Sequence, residues 1–262
     1  MDAIETVKSE YIRELLGKGI REDKRGSNDY RKISVSTGVM GNAEGSAQVD
    51  LGSTRVLAGV KLVLGEPMED TPNQGNLVVS AELLPLANPE YETGPPSPDA
   101  IELARVTDRG IRAGNCVNLD SLFVEEGKVW SVYVDVYVLN YDGNLFDACE
   151  IAAMAALSSA TVPKYADGNI DREDRSTRLK IDNTVTSCTF AKIGKDIILD
   201  PNGSESGAAD ARISIAVDKD SIRAMQKGGS GGFTAEEVES LVDVAFNKHK
   251  ELKDMIDKDS GK

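Results

Sequence analysis

The stretch VWSVYVDVYVL (residues 129–139), followed by NYDGN (140–144) and LFDACEIAAMAALSS (145–159), decides the fold class. Trp130, Val132, Val134, Val136 and Val138 recur at every second position, the period of a strand with one face in the core. Asp142-Gly143-Asn144 carries turn chemistry. The Ala-rich run after it drops the two-residue period, and its small side chains let a helix lie close against a sheet or a second helix. A core strand running into a buried helix puts sheet and helix on one hydrophobic layer.

The same patterns extend in both directions. Upstream, Ile33, Val35 and Val39 alternate. Ser46–Leu51 and Thr54–Val63 read as strands joined by a two-residue hairpin at Gly52-Ser53, and Leu77–Leu86 reads as another. Ile4, Val7, Tyr11 and Leu15 form a helical stripe that Gly17 and Gly19 stop. Ser97 is a good N-cap, Pro98 suits the first helical position, and Asp99 and Glu102 favour the positive end of the dipole, so a helix is predicted over Pro98–Arg112. Downstream, Pro163–Thr177 is polar and reads as a long exposed loop between two halves. Strands follow at Thr184–Lys192, Asp196–Leu199 and Arg212–Val217, then a turn at Gly228–Gly232. Thr234 and Glu237 make a capping box for a last helix that buries Val238, Leu241, Val242, Ala245 and Phe246. The charged tail after Ile256 is expected to fray. Strands followed by helices, twice over, indicate an α+β protein whose halves, 1–162 and 163–262, pack as one unit.

Composition narrows the function classes. Apolar residues make up 40% and charged residues 28%, which suits a soluble globular protein. No apolar run approaches the roughly 20 residues a membrane helix needs; the longest, Ile151–Val162, reads as a buried helix. No basic stretch followed by an apolar core opens the chain, which leads to the expectation of a cytoplasmic protein without a secretory leader. Cys116, Cys149 and Cys188 are odd in number and form no Cys-x-x-Cys pair, so neither a disulfide framework nor a zinc site is expected; buried thiols in a reducing cytoplasm are. The net charge of −14 rules out a broadly attractive field for nucleic acid. Contact with RNA would need a local arginine cluster or a more basic partner.

Chemistry-bearing residues are few. His249 is the single histidine and sits among Lys248 and Lys250, so it reads as part of a solvated helix face. No P-loop or dinucleotide fingerprint occurs, and the glycines around Gly229 lack the Lys-Ser/Thr of a phosphate loop, so they read as a turn. The charges of Arg21–Gly26 suggest a solvated surface turn. Asp200, Glu205 and Asp210 follow a strand; paired carboxylates can bind Mg²⁺ or work as acid and base, but glycines and serines among them favour a solvated turn. Arg105, Arg109 and Arg112 are spaced by four and three residues and project from one side of the predicted helix. Such a face can clamp phosphates, or its members can pair with Glu102 and Asp108.

A resemblance adds to this reading. Gly19-Ile20-Arg21-Glu22-Asp23-Lys24-Arg25-Gly26 with Tyr30-Arg31, Gly45-Ser46-Ala47, and Leu51-Gly52-Ser53-Thr54-Arg55 through Lys61 are similar to motifs of the RNase PH family. So are Gly94-Pro95-Pro96 and the run Ile101–Arg112. Within that family the chain resembles the non-catalytic RNase PH-like subunits of the archaeal exosome. The resemblance implies the RNase PH fold, two related ribosomal-protein-like βαβα halves. It also implies a ring of three heterodimers with a catalytic RNase PH-like sister subunit, joined by RNA-binding cap proteins and acting on single-stranded RNA from the 3′ end with inorganic phosphate. Active members hold phosphate with Gly-Ser/Thr-Arg before the Ala-rich helix; here Gly143, Asn144 and Leu145 stand there. They also carry two aspartates after a strand; Asp210 matches the second, and the first falls at or near Ser206. Both departures imply that no catalytic residue, metal or cofactor serves this chain. The family places Arg105 and Arg109 beside the RNA path, which favours the phosphate-clamp reading for both and leaves Arg112 open between the two. The alternative is an independently active phosphorolytic exoribonuclease of the RNase PH type, against which Leu145 and Ser206 argue. A free-standing RNA-binding or ribosome-associated protein is a third reading, against which the acidic charge argues.

Overall fold

A computed structural model describes residues 3–166 and 168–259. Helix α1 (Ala3–Gly17) leads into β1 (Ile33–Thr37), β2 (Gly45–Leu51), β3 (Thr54–Gly65) and β4 (Asn76–Leu83). Helix α2 (Pro98–Ala113), a 3₁₀ turn at Leu119–Leu122, β5 (Phe123–Glu125), β6 (Lys128–Asn140) and α3 (Leu145–Ser159) follow. These strands form one sheet in the order β1-β2-β3-β6-β4, with β5 beside β6. The β4–β6 pair is parallel, and α2 lies in the crossover that a parallel pair requires. The hairpin between β2 and β3 closes with Leu51 opposite Thr54, and Gly52 supplies the positive φ of +60°.

The chain continues through four short strands, β7 (Thr161–Val162), β8 (Lys164–Ala166), β9 (Asn169–Asp171) and β10 (Thr177–Arg178). Then come β11 (Thr186–Ile193), β12 (Asp196–Leu199), α4 (Gly203–Ala208), β13 (Ala211–Val217), β14 (Ile222–Gly229) and α5 (Ala235–Asp259). The second sheet is antiparallel, in the order β12-β11-β13-β14. Helix α3 joins the two sheets. Its side chains from Phe146 to Ser158 are all buried, and it packs on β2 and β3 on one side and β11 on the other, flanked by α2 and α5. Small residues allow this: a Cβ on Gly45 would lie 2.7 Å from the Ala160 backbone. All five Trp and Val residues of the β6 core face are buried, as their alternation requires.

Several local readings need correction. Helix α1 forms, but its buried face is Ile12 and Leu16, packed on Ala191, Ile193, Ile198 and Ala208, while Val7 and Tyr11 are exposed. The side chain of Ile4 lies outside the described residues. Val39 falls beyond β1, and β4 stops at Leu83. The segment 163–177 is no structureless loop, since β8 pairs with β9 and β10 with β7. Residues 222–229 form an edge strand where only a turn was expected, because their apolar and charged residues alternate too weakly to announce it. Helix α5 opens with the Thr234–Glu237 capping box and stays helical through Asp259; residues 260–262 of the tail lie outside the described residues. His249 is buried, with Nδ1 2.9 Å from the Thr186 hydroxyl. Its lysine neighbours in sequence point elsewhere on the helix, and it faces β11. All three cysteines are free and buried, and burial pushes the Cys116 thiol up to about 12.

Candidate functional site

Two arrangements stand out, and a buried ionic network positions the first. Arg21 and Arg25 leave the surface turn that their charges suggested and reach inward. Arg21 grips Glu205 with two hydrogen bonds, Nε to Oε1 at 2.9 Å and Nη2 to Oε2 at 2.7 Å, in a pair almost wholly removed from solvent. Asp200, fully buried at φ +52°, accepts from Arg25 Nη1 at 2.8 Å and from the Arg31 backbone N, Nε and Nη2 at 2.8, 2.9 and 2.8 Å. Asn144 Nδ2 donates to Asp200 Oδ1, the oxygen that also accepts from Arg31 Nη2, at 2.8 Å. Burial alone would raise the Asp200 pKa, but the Arg31 hydrogen bonds and charge, with Asn144, hold it below the ordinary value. Asn144 also caps α3 and donates to Asp147, whose carboxyl burial pushes up to about 6 against hydrogen bonds from Asn144, Thr189 and Tyr30. Asp200 and Glu205 are therefore buried partners of arginines and not part of a solvated turn, whereas Asp210 stays partly exposed and pairs with Arg13. Among the described residues no group of three or more His, Cys, Asp or Glu side chains is placed to hold a metal.

The network seats the start of α3 against α4, and a cavity of about 300 Å³ opens there, between the first turn of α2 and β13. Leu145, Ser206, Asn144, Asp99, Glu102 and Arg212 line it. Leu145 offers no donor, and Asn144 is spent on Asp147 and Asp200, so the α3 N-terminus is capped by the protein's own side chains. The Ser206 hydroxyl reaches only the Pro201 carbonyl, at 3.5 Å, and cannot serve as a carboxylate would. Asp210 is absent from the lining. It turns outward to Arg13, 2.7 Å away, and to the Gly194 amide, and the Arg13 hydrogen bond holds its carboxyl down at about 2. Arg212 lies over the Phe146 ring, 4.0 Å from its centroid, and pairs with Glu102 at 2.7 Å.

The second arrangement is the outer face of α2. Its cap forms as the sequence predicts, with the Ser97 side chain accepting from the Ala100 amide. Arg105, Arg109 and Arg112 all border one groove with Met68, Val78 and Val79. They differ in occupancy. Arg105 is exposed and has no hydrogen-bond or ion-pair partner among the described residues. Arg109 donates to the Gln226 side chain at 3.0 Å. Arg112 pairs with Asp108 at 2.8 Å and donates to the Leu77 carbonyl. Sequence reasoning missed Gln226, Arg212 and the whole Asp200 network. Their partners lie 56 to 184 positions away in the chain, and no local pattern connects them.

Comparison with known proteins then settles the family. Residues 29–163 match the model of domain 1 of the 3′ exoribonuclease family, the RNase PH type, and residues 183–248 match its domain 2. The chain belongs to the RNase PH family. Its relatives include the exosome complex component Rrp42 of Sulfurisphaera tokodaii, 48% identical over 260 residues that span 95% of this chain and 94% of that protein. The Rrp42 of Pyrococcus abyssi is 46% identical over 253 residues, 94% of this chain and 92% of its own. Among solved structures, a chain of the Archaeoglobus fulgidus exosome with RNA bound to the active site superposes with a TM-score of 0.90 at 41% identity, covering 97% of this chain and 99% of that one. An archaeal exosome core chain gives 0.86 at 38% identity, covering 97% and 98%. The architecture described above is thus the RNase PH fold. No helix among the described residues is long and apolar enough to cross a membrane.

Proposed function

We propose that this RNase PH-type chain is the non-catalytic subunit of a hexameric 3′–5′ phosphorolytic exoribonuclease ring of the archaeal exosome kind. It structures the active site of a catalytic RNase PH-like sister subunit and contributes arginines to RNA binding. The observation that carries the reading is the cavity at the start of α3: Leu145 and Ser206 line it, and Asp210 faces away, tied to Arg13. A phosphate there would meet a leucine side chain with no charge and no donor, and a leaving oxygen would find no carboxylate at Ser206. The long relatives named exosome components support the assignment to such an assembly. The alternative, an independently active exoribonuclease, needs the same cavity to bind phosphate and is disfavoured by it.

In this proposal the chain divides at 162/163 into two related halves, and three copies alternate with three sister subunits beneath RNA-binding cap proteins. Three buried free thiols suit a cytoplasmic protein. Arg105 and Arg109 face single-stranded RNA, and Arg112 contributes least, because Asp108 neutralises it. With a net charge of −14, the chain relies on these local cations and on its partner for RNA affinity. The test is to incubate RNA and inorganic phosphate with the purified chain, with the sister subunit, and with the co-expressed pair sized by light scattering. The chain alone is expected to release no nucleoside diphosphate, and the pair to form an active hexamer. Turnover by a nuclease-free preparation of the chain alone would overturn the non-catalytic reading.

A further inference from the structure

We infer that Gln226 is a positioning residue for RNA contact: its neutral amide orders the Arg109 guanidinium on the outer face of α2 without cancelling its charge. The inference rests on the RNA-contacting role proposed above for α2. Gln226 lies on β14, opposite Ser214 in the second sheet, while Arg109 lies on α2. Arg109 Nη1 donates to Gln226 Oε1 at 3.0 Å, and Gln226 Nε2 donates to Glu102 Oε1 at 3.3 Å. The same carboxylate oxygen accepts from Arg212 Nη2 at 2.7 Å, and Arg212 is laid over Phe146.

The orientation of the amide follows from its neighbours. Arginine only donates and an ionised carboxylate only accepts, so the carbonyl must face Arg109 and the NH₂ group Glu102. A flipped amide would set donor against donor at one end and acceptor against acceptor at the other. Arg109 thus keeps a full positive charge and its remaining N–H donors for a ligand. The three arginines of the face therefore behave differently. Arg112 has its charge offset by Asp108, Arg105 has no partner among the described residues, and Arg109 is ordered by a neutral group. A cation ordered without neutralisation pays its rotamer entropy before the phosphate arrives. A carboxylate at position 226 would order Arg109 equally well and remove its use.

The experiment measures affinity of the co-expressed ring for a single-stranded RNA oligonucleotide across salt concentrations, with ring assembly checked by light scattering. Gln226→Glu is expected to weaken binding roughly fivefold and to make the slope of log K against log salt shallower by about 0.7, one phosphate contact on a single strand. Gln226→Ala keeps the Arg109 charge but frees the side chain; binding is expected to fall roughly threefold with the slope unchanged. In an Arg109→Gln background, Gln226→Glu should lose its effect on slope. If Gln226→Glu matches the wild type in affinity and slope while Arg109→Glu weakens binding, the positioning role is wrong and the RNA reading survives. If Arg105→Glu and Arg109→Glu both leave binding unchanged, the RNA reading itself fails. Should Gln226→Glu not assemble, Gln226→Ala decides, and wild-type affinity in that variant overturns the inference.

Discussion

Replacing Asp200 with alanine should be among the most damaging single changes in this chain, although its neighbour in sequence Asp210 should be dispensable. Asp200 is fully buried and accepts five hydrogen bonds, from Arg25, three times from Arg31, and from Asn144. Alanine would leave two guanidinium groups with side-chain exposures of 12% and 7% without their shared buried counter-charge, with the more exposed Asp23 and Asp142 as remaining partners. Breaking a buried pair from one side costs about 3–5 kcal/mol. Asp200 also sits at φ +52°, where aspartate is tolerated and alanine adds about 1 kcal/mol. A loss of about 4–6 kcal/mol is a large share of the roughly 5–15 kcal/mol a domain possesses. With a urea m-value of about 2–3 kcal/mol/M, the midpoint should fall by roughly 2 M. Asp200→Asn keeps the backbone conformation and one acceptor, so it should fall in between. Asp210→Ala breaks an ion pair with both side chains 41% exposed and should cost less than about 1 kcal/mol. The pH dependence has a definite sign. The folded pKa of Asp200 lies below its ordinary 3.8, so its stabilisation is present above that value and is lost as pH falls through the folded pKa. Asp200→Asn should flatten the acid limb. An unfolding free energy for Asp200→Ala within about 1 kcal/mol of wild type would refute the argument that this network holds the N-terminal turn to the second sheet.

Two further outcomes follow from the same geometry. Replacing Arg105 and Arg109 together with glutamate should leave the ring assembled, weaken RNA binding and degradation strongly, and make the salt dependence of affinity shallower, since each charge-assisted contact contributes roughly 1.5–3 kcal/mol before screening; wild-type binding across salt concentrations would make these arginines structural or idle. Burial holds the His249 imidazole below its ordinary 6.5, so its contribution to stability is present above that value and lost as pH falls from 6.5 through the folded pKa; proton NMR on the single histidine should show the low titration, and a midpoint at or above 6.5 would contradict its burial against Thr186.

Much of this protein was legible one segment at a time. The Val-rich strand, the hairpin at Gly52, the Ser97-capped helix with its three arginines, the Ala-rich helix and the Thr234 capping box are all set by interactions within a few residues, and these appear where periodicity and capping chemistry put them. The absence of a side-chain donor at Leu145 and of a carboxylate at Ser206 was equally readable, because which functional group a side chain carries is fixed by the residue type alone. Tertiary structure alone decided which charges are spent and which are available. Arg21, Arg25 and Arg31 look like surface residues until Asp200 and Glu205 arrive from more than 160 positions away; Asp210 turns from the cavity because Arg13 is nearby; His249 is buried because α5 rests on β11. Arg105, Arg109 and Arg112 share a helix face by sequence, but only the folded chain decides that Arg109 meets Gln226 while Arg105 has no partner among the described residues, because a tertiary contact is determined by distance in space and a helical period by distance along the chain.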